Sequence, residues 1–281
     1  MKKWNGMLIA TLVPFFSFIL LFMCVPLLFM LLGSFQVEGG GGWTLDHYAE
    51  IFGNPYYTQA LQNSMLIACW SAVMGIMVSV FAAYGVTKFP KYVQERILVL
   101  TNLTSNFAGI PLAFAFIVLL GNSGLFTLLF RSFGIDLGQS FNLYSWGGLT
   151  VIYVYFQLPL GILLLYPIYH GIQEQWKEAA TLLGASSYQF WLRIGAPMLL
   201  PSIAGTFSIM FANAMGAYAT AYALTGSTYN LVPIRISNLV SGDVFARPEL
   251  GSALATALGL TLVTALLLNE WLTRRIRRDL R

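Results

Sequence analysis

Six long runs of apolar residues alternate with short polar connections along the 281-residue chain. A helix needs about 20 mostly apolar residues to cross a hydrocarbon core of about 30 Å. The pattern therefore predicts an all-α integral membrane protein, a single domain covering 1–281 with six transmembrane helices. The predicted spans are 7–32, 61–86, 97–120, 147–170, 199–224 and 251–272.

Composition and charge support this prediction. Hydrophobic residues make up 57% of the chain and charged residues 9%, whereas soluble domains carry about 25% charge. Twelve of the fifteen Lys and Arg fall on one side of the six-span map, so the positive-inside rule predicts that both termini and the 171–198 connection are cytoplasmic. Because these bases are not gathered on one soluble surface, the net charge of +4 does not indicate a nucleic-acid partner.

The chain offers little for catalysis or metal binding. Cys24 and Cys69 both fall inside predicted spans, where neither a disulfide nor a metal site is expected. The sequence also has no G-x-x-x-x-G-K-[ST] loop to hold nucleotide phosphates. We expect no metal, no cofactor and no catalytic residue in this chain.

The connection between the fourth and fifth spans has a pattern of its own. At helical spacing Ala180 and Gly184 share a face, and Gly184 suits a helix end. Ser186 with Gln189 predicts a capping box that begins a second short helix, and Pro197 then begins the fifth span. The sequence thus predicts a helix-turn-helix, either lying on lipid headgroups as an amphipathic pair or binding a protein. The small surface favours a protein partner.

In this register the chain resembles the permease subunits of binding-protein-dependent, type I ABC importers with the MetI-like fold. The residues that match the family signature are Glu178, Ala179, Ala180, Gly184, Ile194 and Pro197. Ala196 stands where the family usually has Leu. The resemblance implies that this coupling loop docks in a groove of a nucleotide-binding subunit, whose closure on ATP rocks the pore as a rigid body.

The same resemblance implies the partners and the location. The partners would be ABC ATPase subunits that bind ATP and Mg²⁺, a second permease subunit, homologous or identical, and an extracytoplasmic solute-binding protein. The chain would be a multi-pass protein in the lipid of the bacterial cytoplasmic (inner) membrane. It would be a transport subunit and not an enzyme, and it would form half of a translocation pathway.

Polar and small residues within the spans are candidates to line that pathway. An amide in lipid is costly, so Asn213 is a good candidate. Ordinary helix packing is the alternative for the Ala and Gly positions, and satisfaction of the backbone around a proline kink is the alternative in the third span. The candidates are Asn102, Asn106, Gln157, Ser208, Ala212, Asn213, Gly216 and Tyr218.

Two functions of another class are the alternatives. Gly121-Asn-Ser-Gly124 has the form used by rhomboid-like intramembrane serine proteases, but Ser123 needs a His base, and His47 and His170 lie elsewhere on the map. An ion-coupled secondary carrier usually has charged residues in mid-span, which these spans lack. Both are disfavoured.

The sequence does not identify the transported solute. The layout most resembles the spermidine/putrescine-type branch of the family, which also includes relatives for aminophosphonates and ferric iron. The sequence likewise leaves open whether the 226–250 connection re-enters the membrane.

Overall fold

The computed structural model describes residues 2–135, 141–242 and 246–279, with the backbone alone for 2–10, 272 and 276–279. Residues 1, 136–140, 243–245 and 280–281 of the predicted domain lie outside the described residues. Within the described ranges the chain is almost entirely helical and has no β-strand, apart from one isolated bridge between Gln36 and Trp43. The all-α prediction is confirmed.

Fourteen α-helices follow one another in the described ranges. They are α1 (Lys2–Ile19), α2 (Val25–Gly33), α3 (Asp46–Gly53), α4 (Pro55–Val86), α5 (Lys91–Ser105), α6 (Ile110–Leu120), α7 (Leu125–Ser132), α8 (Trp146–His170), α9 (Glu174–Leu182), α10 (Ser187–Phe190), α11 (Ala196–Met215), α12 (Tyr218–Thr225), α13 (Val232–Ser241) and α14 (Pro248–Asp279). Two π-helical turns, Leu20–Cys24 and Trp191–Gly195, join α1 to α2 and α10 to α11.

Six helical segments are long and apolar enough to cross a membrane, as predicted. They cover Thr11–Gly33, Pro55–Val86, Ile110–Ser132, Trp146–His170, Ser187–Met215 and Pro248–Arg275. Two of the predicted spans are interrupted. The span predicted at 97–120 breaks between α5 and α6, where Gly109 takes φ +82° and Pro111 follows. The span predicted at 199–224 breaks at Gly216 and Ala217.

The core is built where α4, α8 and α11 pack together. A row of small residues on α4 is buried: Ala68, Ala72, Gly75, Ser79 and Ala83. A Cβ added at Gly75 would lie 2.6 Å from Cε of Met210, and one at Gly161 would overlap Ser79. Small residues let helices in a membrane approach this closely. The small residues of α4 therefore mark a close helix seam with α8 and α11.

The segments outside the spans are also folded. The backbone N–H of Asp46 donates to Thr44 Oγ1 at the start of α3, a short helix in the first outer connection. In the 226–250 connection, α13 is partly buried, and the Val232 N–H donates to Ser64 Oγ of α4 at 2.9 Å. This connection is thus a packed helix with its first backbone donor satisfied.

An ion-pair group joins these two connections. Arg247 donates from Nη1 and Nη2 to the two carboxylate oxygens of Glu50, both at 2.7 Å, and from Nε to Glu38. We call Glu38, Glu50 and Arg247 the clasp. The hydrogen bond from Arg247 lowers the pKa of Glu50 below its usual range, against an opposing effect of partial burial. The clasp thus joins the first outer connection to the residue that immediately precedes the last helix.

Candidate coupling loop and translocation path

The connection between α8 and α11 folds as the predicted helix-turn-helix. α9 ends in a Schellman motif, because the Ala185 N–H donates to the Ala180 carbonyl and the Gly184 N–H to the Thr181 carbonyl, both at 2.9 Å. Gly184 has φ +82°, a conformation that costs L-residues about 1–2 kcal/mol. Glycine at this position follows directly from the shape of the turn.

The second helix begins as the sequence predicted. Ser186 Oγ accepts from the Gln189 N–H, and Gln189 Oε1 accepts from the Ser186 N–H, which together form the capping box. After α10 the chain passes through the π-helical turn that contains Ile194, and Pro197 lies in the first turn of α11.

The exposed surface of this loop differs from the expected one. Glu178 and Ala179 are exposed, but Ala180 is only 8% exposed. Ala180 therefore does not contribute to the exposed small-residue surface that the sequence predicted. The residues that project are Leu182 and Leu183, which are 89% and 88% exposed. Together with Gly184 they form what we call the loop tip. Sequence reasoning missed these leucines; their signal was an adjacent apolar pair at the end of a short polar helix.

The two helix breaks meet each other inside the subunit. The Gly109 N–H, free at the α5–α6 break, donates to Thr220 Oγ1 of α12 at 3.0 Å. The Ala217 carbonyl, free at the α11–α12 break, accepts from Tyr153 Oη at 2.8 Å. Broken backbone at membrane depth is tolerated only where protein or water satisfies its polar groups. Discontinuous helices of this kind also mark solute sites in many transporters.

The predicted pore candidates separate by burial. Asn102, Asn106, Asn213 and Gly216, which flank the two breaks, are exposed on the subunit surface, whereas Ala212 and Tyr218 are half-buried. Tyr218 stacks on Tyr222 with ring centroids 5.2 Å apart, and Tyr222 is 43% exposed.

Gln157 and Ser208 lie inside the subunit instead. Gln157 is fully buried, and its Nε2 donates to Ser71 Oγ of α4 at 2.8 Å. Ser208 is 7% exposed. Neither side chain reaches the surface of the subunit, and the pore-lining role of the candidates stays a prediction. The polarity of these two residues is used in helix packing.

The features that suggested a protease are engaged elsewhere. Ser123 lies in the turn between α6 and α7. The His47 ring is 4% exposed, with Nε2 2.8 Å from the Gln36 carbonyl, and His170 packs against Tyr166 at the end of α8. These contacts do not bring a base to Ser123.

Known proteins are similar to this chain in sequence. A family model described as "Binding-protein-dependent transport system inner membrane component" matches residues 75–281. The chain is 26% identical over 273 residues to the spermidine/putrescine transport system permease protein PotB of Haemophilus influenzae, covering 93% of each chain. It is 25% identical over 248 residues to PotC of Escherichia coli, covering 87% of this chain and 86% of the relative.

A solved structure shares the fold. It is a bacterial ABC transporter involved in the import of the acidic polysaccharide alginate, and the matched chain has a TM-score of 0.77 at 18% identity. The match covers 98% of this chain and 97% of the other.

Proposed function

The chain belongs to the family of binding-protein-dependent transport system inner membrane components, and on this premise we propose that its loop tip docks on a separate ATPase. It is a permease subunit of an ABC importer and a multi-pass protein of the bacterial inner membrane. The proposed partners are two ATPase subunits, a second permease subunit, identical or homologous, and an extracytoplasmic solute-binding protein. ATP and Mg²⁺ would be held by the ATPase.

The observation that carries the proposal is the exposure of Leu182 and Leu183. Two almost fully exposed leucines on a segment capped by a Schellman motif and a capping box form a rigid apolar projection. Buried apolar area stabilises association by about 25 cal/mol per Å². A groove on a partner protein would cover this surface, and the positive-inside rule predicts that it faces the cytoplasm, where the proposed ATPase would lie.

For the solute we propose a small polycation of the polyamine type. Two relatives are spermidine/putrescine permeases by name. The exposed polar groups around the breaks include several amides and Tyr222, which stacks on the half-buried Tyr218, and aromatic faces attract cations. Nothing comparable favours an aminophosphonate or ferric iron. Because the fold is shared with a transporter of an acidic polysaccharide, the fold itself does not determine the solute.

The test is ATP-driven uptake by the full complex in proteoliposomes, with labelled spermidine and the binding protein supplied outside. We expect Gly184→Leu and Leu182→Asp to abolish uptake and capture of the ATPase, while membrane insertion stays normal. Leu45→Asp, on the outer side, is the matched control because Leu45 is also exposed, at 66%. Normal uptake by both loop variants would overturn the docking role. Uptake without ATP would overturn the proposed function itself.

A further inference from the structure

The loop tip has to be connected mechanically to the helices of the pathway. Apart from the three-residue link 171–173 that joins it to α8, α9 faces the ends of α4 and α8 across a cavity of about 260 Å³. Glu174 and Lys177 of α9 line one side of this cavity, and Tyr84 and Tyr169 line the other. α9 packs instead against α10, which leads directly into the π-helical turn.

Trp191, the first residue of that turn, bridges to both α4 and α8. Its ring centroid lies 5.2 Å from that of Tyr84 on α4 and 6.4 Å from that of Tyr169 on α8. The two tyrosine rings are themselves 5.7 Å apart, and Tyr169 Oη donates to the Val80 carbonyl of α4 at 2.9 Å. We call Tyr84, Tyr169 and Trp191 the aromatic joint.

The turn is shaped to hold the indole. A Cβ at Gly195 would overlap the six-membered ring of Trp191, with Cζ3 at 2.8 Å. Gly195 has ordinary helical φ and ψ of −63° and −55°, so glycine is required there by space and not by backbone conformation. π-helical turns within helices are frequent at functional sites. Here the turn and its glycine place Trp191 against the two tyrosines.

Beyond the joint, the helices form one tightly packed body. The hydrophobic cluster that contains Tyr169 continues through Ala83, Leu165 and Met210 along α4, α8 and α11. The close approaches at Gly75 and Gly161 lie within the same three helices. Close-packed interiors transmit displacement because they have few voids to absorb it.

We propose that Trp191, positioned by Gly195, is the rigid joint through which movement of the coupling loop turns α4, α8 and α11. This rests on the proposed function of the loop. Trp191 is a positioning residue: it contacts neither solute nor nucleotide, and it holds the loop and the pathway helices in one orientation. Its loss should leave the ATPase bound and active while less solute moves for each ATP hydrolysed.

The experiment measures uptake and ATP hydrolysis of the reconstituted complex together. We expect Trp191→Ala to lower solute moved per ATP by about 2- to 30-fold, the range for residues that carry coupling, with ATPase capture unchanged. Trp191→Phe should restore most of the ratio. Trp271→Ala is the control, since Trp271 is exposed on α14 and contacts Arg275.

A second pair of variants shows whether Gly195 acts through Trp191. Gly195→Ala should reproduce the uncoupling, and it should add nothing in a Trp191→Ala background, where no indole is left to displace. Gly205→Ala on α11, where a Cβ meets nothing within 4 Å, should be silent.

The outcomes separate the two proposals. Normal coupling by Trp191→Ala, or an equal further loss from Gly195→Ala in its absence, overturns the joint and leaves the docking proposal standing. Loss of ATPase capture by Trp191→Ala also overturns the joint, because it would make Trp191 part of the docking surface or of its folding. If the wild-type complex shows no ATP-driven uptake, the proposed function fails first.

Discussion

Asn213 and Gln157 are both amides in membrane helices, yet packing gives them different surroundings. Asn213 is exposed beside the α11–α12 break, whereas Gln157 is buried against Ser71. Its Oε1 has no hydrogen-bond partner among the described residues. Sequence alone makes both of them pore candidates, because it shows that a span contains a polar residue but not which way the side chain points between helices.

This difference leads to opposite predictions for the same substitution. Asn213→Leu should lower uptake several-fold without loss of thermal stability, since it removes a polar group from the pathway surface. Gln157→Leu should keep near-normal uptake, because Gln157 does not reach the subunit surface and the Ser71 hydroxyl still donates to the Ala68 carbonyl. Uptake assays with melting curves in detergent test both, and the reverse pattern would assign Gln157 to the pathway.

The sequence predicted some residues of the coupling loop well because their hydrogen bonds are to neighbouring residues in the chain. Gly184 and the Ser186–Gln189 pair are determined by backbone hydrogen bonds within a few positions, so their spacing in the sequence is sufficient evidence. Ala180 and Leu182 are different, because their exposure depends on how α9 packs against α10. No local pattern contains that information.

At the scale of elements, the paired breaks explain why two predicted spans are interrupted. Gly109 and Pro111 signal a kink in the third span, but a hydropathy pattern does not show where helix stops. The sequence shows even less about which residue satisfies the backbone groups at the break. The Gly109 N–H finds its acceptor on Thr220, 111 residues away, which only the assembled fold brings close.

We therefore expect the Thr220 hydroxyl to contribute to the stability of the folded protein. Thr220→Val keeps the shape but leaves the Gly109 N–H unsatisfied in a buried position, which costs about 1–3 kcal/mol. Thr220→Ser should recover most of that loss. Thermal unfolding of the purified protein in detergent measures it, and an unchanged midpoint for Thr220→Val would show that another acceptor replaces the hydroxyl.

At the scale of the whole molecule, the clasp joins parts of the chain that are distant in sequence. Arg247 meets Glu38 and Glu50 across separations of 209 and 197 residues. Six spans and their order follow from hydropathy, but this pairing does not, because any outer acidic residue has the right charge to match an outer arginine. The position of α13 on α4 and α14 selects the pair.

The clasp predicts an acid-sensitive contribution to stability. Arg247 lowers the pKa of folded Glu50, so the contribution is complete above the pKa of the unfolded carboxyl, about 4.3. It is then lost as the pH falls toward the lower folded pKa. The melting temperature of wild type should therefore fall more between about pH 5 and about pH 2 than that of Glu50→Gln. Arg247→Gln should flatten the same window, and a wild-type slope in both variants would remove the clasp as the cause.

The first span differs from the rest of the molecule in that no residue of Thr11–Gly33 is buried. The matched family region also starts only at residue 75. Packing within this subunit therefore constrains the length and hydrophobicity of that segment but not the shapes of its side chains. Orthologues should consequently exchange Phe, Leu and Met there far more readily than Ala or Ser along α4.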